Sequence, residues 1–228
     1  MYTGETGRCL HERIQVKICG ITEPEDGLVC AAWGADAVGL VFYPKSPRFV
    51  TANQAALIAS VLPSHVARVG VFVNESFDTV IETAHNCGLS AVQLHGSEPP
   101  ELVEKLRQKG LTVIKCLYVN GRPPLSSAWQ YNASAFLVEC SAGVLPGGNA
   151  KTWDWSAAGD FAEKYPTIIA GGLAPENVCE AIDAARPDAV DASSALESSP
   201  GRKDTKKVRD FIYAVRMYKI SNKTRRIF

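Results

Sequence analysis

Gln15-Val16-Lys17-Ile18-Cys19-Gly20-Ile21-Thr22-Glu23-Pro24-Glu25 is the stretch on which the fold turns. A short apolar run with strand character, Gln15–Cys19, passes through one glycine turn into a helix start. Thr22 stands as the N-cap residue, acids fill the first turn and Pro24 is tolerated there. The turn reads Cys19-Gly20-Ile21-Thr22 and carries no G-x-G-x-x-G, the phosphate-binding signature of an open dinucleotide-binding sheet. What remains is a plain βα step.

Outward from this step the same pattern recurs. Strands are predicted at Gln15–Cys19, Ala37–Phe42, Arg68–Val73, Ala91–His95, Thr112–Val119, Ala135–Cys140, Thr167–Ala170 and Ala189–Ala192. Between them, Thr51 opens a helix over Ala52–Val61, Ser97 one over Glu98–Lys109 and Thr205 one over Lys206–Val215, while Gly34, Gly88 and Gly110 stop theirs. The unit repeats about every 25 residues, the size of one βα step. The strands read as continuous apolar runs, as in a parallel sheet covered on both faces. Eight units fit an α/β chain closed into a (β/α)8 TIM barrel, with an open doubly wound sheet as the second reading. No composition shift or Pro/Ser-rich linker divides the chain, so residues 1–228 are expected to form one barrel domain with its core at about 14–215. Pro123, Pro124, Ser126 and Ser127 mark a local turn, and the tail after Met217, with Lys219, Lys223, Arg225 and Arg226, reads as a solvated terminus.

Composition narrows the function. The chain is 46% hydrophobic and 21% charged, enough apolar mass for a sizeable core. Twenty-four Lys plus Arg balance twenty-four Asp plus Glu, which gives no basic field for a nucleic-acid partner. No apolar run approaches the ~18 residues of a membrane span, and Met1 to Arg13 carries charges where a signal peptide is apolar, so no membrane partner and a cytoplasmic location are expected. Seven scattered cysteines without a C-x-x-C pair argue against a disulfide framework and a zinc site.

In such a barrel the chemistry lies at the C-terminal ends of the strands and in the loops that follow. Those ends offer Cys19, the loop Tyr43-Pro44-Lys45-Ser46-Pro47-Arg48, Asn74, Gln93, His95, Glu139, Gly171-Gly172, and Asp191 with Ser193 and Ser194. Among them Cys19 and Glu139 could form a proton-transfer pair without a metal. Gly171-Gly172 after strand 7 and Ser194-Ala195 after strand 8 suit a phosphate site, because bare N–H groups and a helix start favour an anion; the expected ligand is a small phosphorylated molecule. The loop Pro146-Gly147-Gly148-Asn149-Ala150-Lys151-Thr152 is long enough for a lid and does not match G-x-x-x-x-G-K-[ST]. Each feature also has a plainer reading. A strand cysteine is a small buried hydrophobe, Glu139 a salt-bridged carboxylate, His95 a hydrogen-bonded structural residue, Arg48 a surface cation, and Trp153 and Trp155 packing residues.

The motifs Lys17-Ile18-Cys19-Gly20-Ile21-Thr22, Phe42-Tyr43-Pro44-Lys45-Ser46-Pro47-Arg48, Gln93-Leu94-His95-Gly96, Ala170-Gly171-Gly172-Leu173-Ala174-Pro175-Glu176-Asn177 and Glu197-Ser198-Ser199-Pro200-Gly201-Arg202-Lys203-Asp204 resemble those of the phosphoribosylanthranilate isomerase family, in order and spacing, from about residue 14 to 215. The resemblance implies an aldose-ketose isomerase of tryptophan biosynthesis that performs an Amadori rearrangement without a metal or organic cofactor. By the same resemblance Cys19 is the general base, Glu139 stands where the family has its acid, and Arg48 meets the anthranilate carboxylate. Gln93, His95 and Asp191 would contact substrate, Gly171, Gly172, Ser194 and Ala195 would hold phosphate, and Gly147, Gly148 and Lys151 would belong to the lid.

Three positions depart from the family pattern. Glu139 replaces an aspartate, a carboxyl only ~0.4 pK unit weaker but one methylene longer. Ala150 and Ala195 replace glycines, with a conformational cost wherever the glycine needed positive φ. A diverged paralogue acting on a related phosphosugar, or a phosphosugar-binding protein that has lost catalysis, are the alternatives these changes leave open, and the oligomeric state, monomer or homodimer, is not readable.

Overall fold

The computed structural model describes residues 10–11, 13–140, 152–220 and 223–228. Eight parallel strands close into a barrel in chain order: β1 (Gln15–Cys19), β2 (Ala37–Val41), β3 (Ala67–Phe72), β4 (Ala91–Leu94), β5 (Thr112–Tyr118), β6 (Ala135–Glu139), β7 (Thr167–Ile169) and β8 (Ala189–Ala192), with β8 pairing back onto β1. Around it lie α1 (Pro24–Trp33), α2 (Ala52–Val61), α3 (Phe77–Asn86), α4 (Pro100–Gln108), α5 (Gly159–Lys164), α6 (Val178–Ala185) and α7 (Thr205–Met217). After β5 the connection is the 3-10 turn Leu125–Gln130. The expected closed barrel is the observed one, and the open sheet is not.

Local signals explain most helix ends. Thr51 caps α2 by a reciprocal box with Gln54, and Gly34, Gly88 and Gly110 follow α1, α3 and α4 in left-handed backbone. Three predicted starts move. Thr22 does not cap α1; Glu23 holds that position without a side-chain bond, and Thr22 Oγ1 donates to Gly201 O at 2.6 Å. Ser97 does not open α4, because Pro99 and Pro100 delay it and Glu98 turns inward to accept the N–H groups of Asn74 and Gly96, each at 2.9 Å. Asp204 rather than Thr205 caps α7, accepting from the N–H groups of Lys206 and Lys207.

Two apolar layers hold the barrel. Outward-facing Val16, Ile18, Val38, Leu40, Val92, Val113 and Val138 pack under the helices. The inward row is built differently: Ala37, Ala91, Ala135 and Ala189 are small at the floor, Val69, Ile114, Leu137 and Ile168 fill the space with them, and the row ends in polar groups toward the strands' C-termini. The strands are therefore not uniformly apolar. In β1, Gln15, Lys17 and Cys19 alternate with Val16 and Ile18, so every second residue enters the barrel.

The tail after Met217 is not a solvated terminus. Thr224–Arg225 pairs antiparallel with Leu10–His11, and Ile227 is buried within the cluster that fills the barrel floor. Gln15 Oε1 accepts the N–H groups of Ile227 and Phe228 at 3.0 Å each, while Arg225 pairs with Asp188 at 2.8 Å. The charges at 219, 223, 225 and 226 suggested solvent, whereas the apolar pair Ile227-Phe228 fits the small-residue floor. No helix among the described residues is long and apolar enough to cross a membrane.

Candidate active site

All ten described candidate residues, Cys19, Arg48, Gln93, His95, Glu139, Gly171, Gly172, Asp191, Ser194 and Ala195, line one cavity at the C-terminal mouth of the barrel. Val41, Tyr43, Ser46, Val71, Val73 and Leu173 complete much of its wall. Gly147, Gly148, Ala150 and Lys151, read as lid residues, lie outside the described residues.

On the β1 side, Lys17 Nζ donates to Asp191 Oδ2 at 3.0 Å in full burial. Burial opposes the lysine's charge, but Asp191 and Cys19 more than offset it and hold its pKa above the ordinary value. Two residues along, Cys19 Sγ has its space because residue 39 is glycine; a Cβ there would stand 2.6 Å from the sulfur. Across the mouth, Glu139 ends β6. Its Oε2 lies 3.3 Å from His95 Nε2, at ion-pair distance but without hydrogen-bond geometry, and no other donor among the described residues reaches it. Gly171, at φ +88°, leaves 3.1 Å between its missing Cβ and Glu139 Cγ, which is the room the longer carboxylic side chain occupies.

His95 is held from three sides. Its Nδ1 lies 2.8 Å from Gln93 Nε2, its carbonyl accepts from Tyr118 Oη at 3.1 Å, and Cys116 Sγ lies 3.9 Å from Nε2. Burial acts to discharge the ring, while Cys116 and Glu139 outweigh it and place its pKa well above the usual imidazole value. His95 Nε2, Cys116 Sγ and Glu139 are the group among the described residues whose ligand atoms come within 4.8 Å of one another. Below, the buried Lys115–Glu98 pair, at 2.8 Å, pins the turn after β4, with Lys115 also donating to Leu94 O and Gly96 O. Asn74 belongs to that scaffold rather than to the cavity; its Oδ1 accepts from Ser97 N.

Arg48 is neither a surface cation nor unpartnered. Its Nε and Nη2 form a two-pronged pair with Glu197 at 2.7 and 2.8 Å, and Lys203 joins the same carboxylate at 2.9 Å. That pairing fixes the guanidinium at the cavity wall. The loops after β7 and β8 face each other here. Asn177 clamps the first, donating to Gly172 O and accepting from Ala174 N, and the N–H groups of Gly171 and Gly172 find no acceptor among the described residues. Helix α6 starts at Val178, so Pro175 and Glu176 lie in the turn before it. Ala195 sits in the 3-10 turn Ser194–Leu196 and is not among the residues at positive φ, so alanine carries no left-handed strain there. Trp153 anchors the far side through Nε1 to Ala170 O at 2.9 Å.

The strand-end rule located the cavity residues but missed Lys17, Glu197 and Cys116. Lys17 and Cys116 had a legible signal, since both lie an even number of residues from an inward-facing neighbour, Cys19 and Tyr118. Glu197 opened one of the family-like motifs, but nothing in it pointed to Arg48, 149 positions away.

Known proteins agree with this geometry. The family described as N-(5'phosphoribosyl)anthranilate (PRA) isomerase matches residues 16–214. The N-(5'-phosphoribosyl)anthranilate isomerase of Desulfatibacillum aliphaticivorans is 46% identical over 215 residues, 94% of this chain and 99% of its own. The crystal structure of phosphoribosyl anthranilate isomerase from Thermotoga maritima superposes with a TM-score of 0.83 at 42% identity, covering 89% of this chain and 98% of that one. Another solved isomerase, in complex with reduced 1-(o-carboxyphenylamino)-1-deoxyribulose 5-phosphate, matches with a TM-score of 0.80 at 41% identity over the same shares. With a closed barrel, a glycine-lined mouth and this degree of likeness, the chain belongs to the N-(5'-phosphoribosyl)anthranilate isomerase family.

Proposed function

We propose that this one-domain barrel isomerises N-(5'-phosphoribosyl)anthranilate with Cys19 as general base and Glu139 as general acid, needing no cofactor. The observation that carries the assignment is that these two residues, from β1 and β6, line the same cavity with both glycine-serine loops. Glu139 gives a proton to the ribose ring oxygen as the C1'–O bond breaks, and the nitrogen lone pair forms the C=N bond of a Schiff base. Cys19, as thiolate, takes the C2' proton; the electrons of that C–H bond form the C1'=C2' bond as the C=N π electrons return to nitrogen, giving an enolamine that tautomerises to the ketone. Lys17 supplies the positive charge that a thiolate base needs nearby. Arg48 receives the anthranilate carboxylate, held in place by Glu197. The phosphate rests on Gly171-Gly172 and Ser194-Ala195. Among the described residues, Gln93 Oε1, Glu139 Oε2 and Asp191 Oδ1 are buried acceptors without hydrogen-bond donors, and hydroxyl-bearing substrate would satisfy them.

The six described cysteines are all free, which accords with a reducing cytoplasm as the place of work. Steady-state assay on phosphoribosylanthranilate, with complementation of a tryptophan auxotroph blocked at this step, tests the reading. Turnover that collapses in Cys19→Ala is the expected result. A Cys19→Ala variant at the parent rate, or tight binding of a reduced product analogue with no turnover by the parent, would overturn it.

A further inference from the structure

We propose that His95 Nε2, Cys116 Sγ and Glu139 Oε2 form an inhibitory site for a zinc-class divalent ion, buried beside the cavity and reached through it. The three residues come from the ends of β4, β5 and β6, so no spacing motif in the chain announces them. Their ligand atoms lie within 4.8 Å of one another, with Nε2 to Oε2 at 3.3 Å and Nε2 to Sγ at 3.9 Å. A tetrahedral zinc with ordinary bond lengths needs ligand–ligand edges of about 3.4 to 3.6 Å; the two edges at Nε2 are already within a few tenths of an ångström of this, and the sulfur–oxygen edge, within 4.8 Å, closes by side-chain rotation of up to about 1 Å.

One feature of the side chains points to a ligand here. Among the described residues Glu139 Oε2 is buried with no hydrogen-bond donor, its neighbour being the histidine nitrogen at 3.3 Å. Gln93 supplies the outer partner. A histidine that binds metal through Nε2 carries its proton on Nδ1 and donates it, and the Gln93 amide sits 2.8 Å from Nδ1 with its own Oε1 lacking a partner among the described residues. Turning that amide over gives Nδ1–H its acceptor. The donor set, one imidazole, one thiol and one carboxylate, selects zinc over magnesium or calcium. His95 and Glu139 line the cavity and Cys116 does not, so the fourth position faces the cavity and the ion enters from it. On binding, the Cys116 thiol, His95 Nε2 and the Glu139 carboxyl each give up the proton they carry to solvent, and Glu139 is withdrawn from proton transfer. Inhibition therefore rests on the acid role proposed above, whereas binding does not.

The test is titration of the metal-free protein with Zn2+ by calorimetry and with Co2+ by absorption, alongside turnover. One ion per chain, a thiolate-to-cobalt charge-transfer band and zinc inhibition competitive with substrate are expected. Cys116→Ala, at a residue that lines no part of the cavity, should abolish the band and weaken binding by more than the roughly 100-fold that an outer-shell loss can cost, with inhibition read against the variant's own metal-free turnover. An unchanged band and inhibition in Cys116→Ala would place the ion on another thiol and overturn the proposal, as would absence of uptake by the parent or uptake without inhibition. Should that variant fail to fold, X-ray absorption of the zinc-loaded parent decides: one sulfur with nitrogen and oxygen neighbours is expected, and a sulfur-free shell overturns the site. The cobalt band reports binding even in a chain that turns over no phosphoribosylanthranilate, so failure of this site and failure of the isomerase reading give different results.

Discussion

Lys17 Nζ lies 3.0 Å from Asp191 Oδ2, and the lysine has no exposure to solvent inside the barrel. Removing one partner of such a pair leaves a buried charge uncompensated, at a cost of about 3–5 kcal/mol. Asp191→Ala should fall in that range by urea unfolding, and Lys17→Met combined with Asp191→Leu should regain much of the loss. A single variant within about 1 kcal/mol of the parent would show that water already screens the pair. The raised pKa of Lys17 adds a pH dependence. Its contribution is complete below the ordinary lysine value of ~10.4 and fades as pH rises through the higher folded value, so the double variant should lack this alkaline loss.

Glu197 sets the acid side. Burial works against its charge, but hydrogen bonds and charges from Arg48 and Lys203 prevail and hold its carboxyl below the usual glutamate value. A depressed acid contributes stability that is present above its unfolded pKa of ~4.3 and is lost as pH falls through the folded value. Urea midpoints measured from pH 6 downward should therefore fall less steeply in Glu197→Gln than in the parent. The same substitution frees the Arg48 guanidinium from its two-pronged grip, so KM should rise by roughly tenfold, about 1.4 kcal/mol, with kcat little changed. A change in kcat alone would separate Glu197 from substrate binding.

The closed floor makes a third case. Ile227 is buried at the barrel end opposite the cavity and ties to Gln15 through its own N–H. Ile227→Ala should cost about 2–4 kcal/mol and lower Tm by roughly 5–10 °C, with kcat and KM preserved because no cavity residue moves. Thermal melts beside steady-state kinetics check this. An unchanged Tm would mean that the tail leaves the floor in solution.

This tail also marks where sequence reading ends. The eight strands were legible because each is a local run, and their predicted bounds differ from the observed ones by a residue at most. The cavity was legible because a parallel barrel sends every strand end to one rim. Contacts between distant residues were not legible. Glu197 reaches Arg48, and Gln15 reaches Ile227, only once the barrel has closed, and a count of charges in the tail could not weigh Ile227-Phe228 against four cations. Asp204 won the α7 cap from Thr205 for a nearer reason: its carboxylate reaches two N–H groups at once.

Glu139 is where family pattern and structure pull apart, and Glu139→Asp resolves them. The glutamate carboxyl reaches to 3.3 Å from His95 Nε2, and Gly171 leaves its Cγ the space it occupies. An aspartate would draw the carboxyl back by on the order of 1 Å, a displacement that can cost ~10²-fold in rate when the group transfers a proton. In this chain the family's own residue should thus lower kcat by roughly 10- to 100-fold and leave KM nearly unchanged, because the proposed grip on substrate lies elsewhere, at Arg48 and the glycine loops. Gly171→Ala should act in the same direction, since its Cβ would press on Glu139 Cγ at 3.1 Å and its φ of +88° strains any side chain. The pair separates position from acidity. If Glu139→Asp raised kcat, the native glutamate would be the misplaced acid and the room beside Gly171 would have no catalytic meaning.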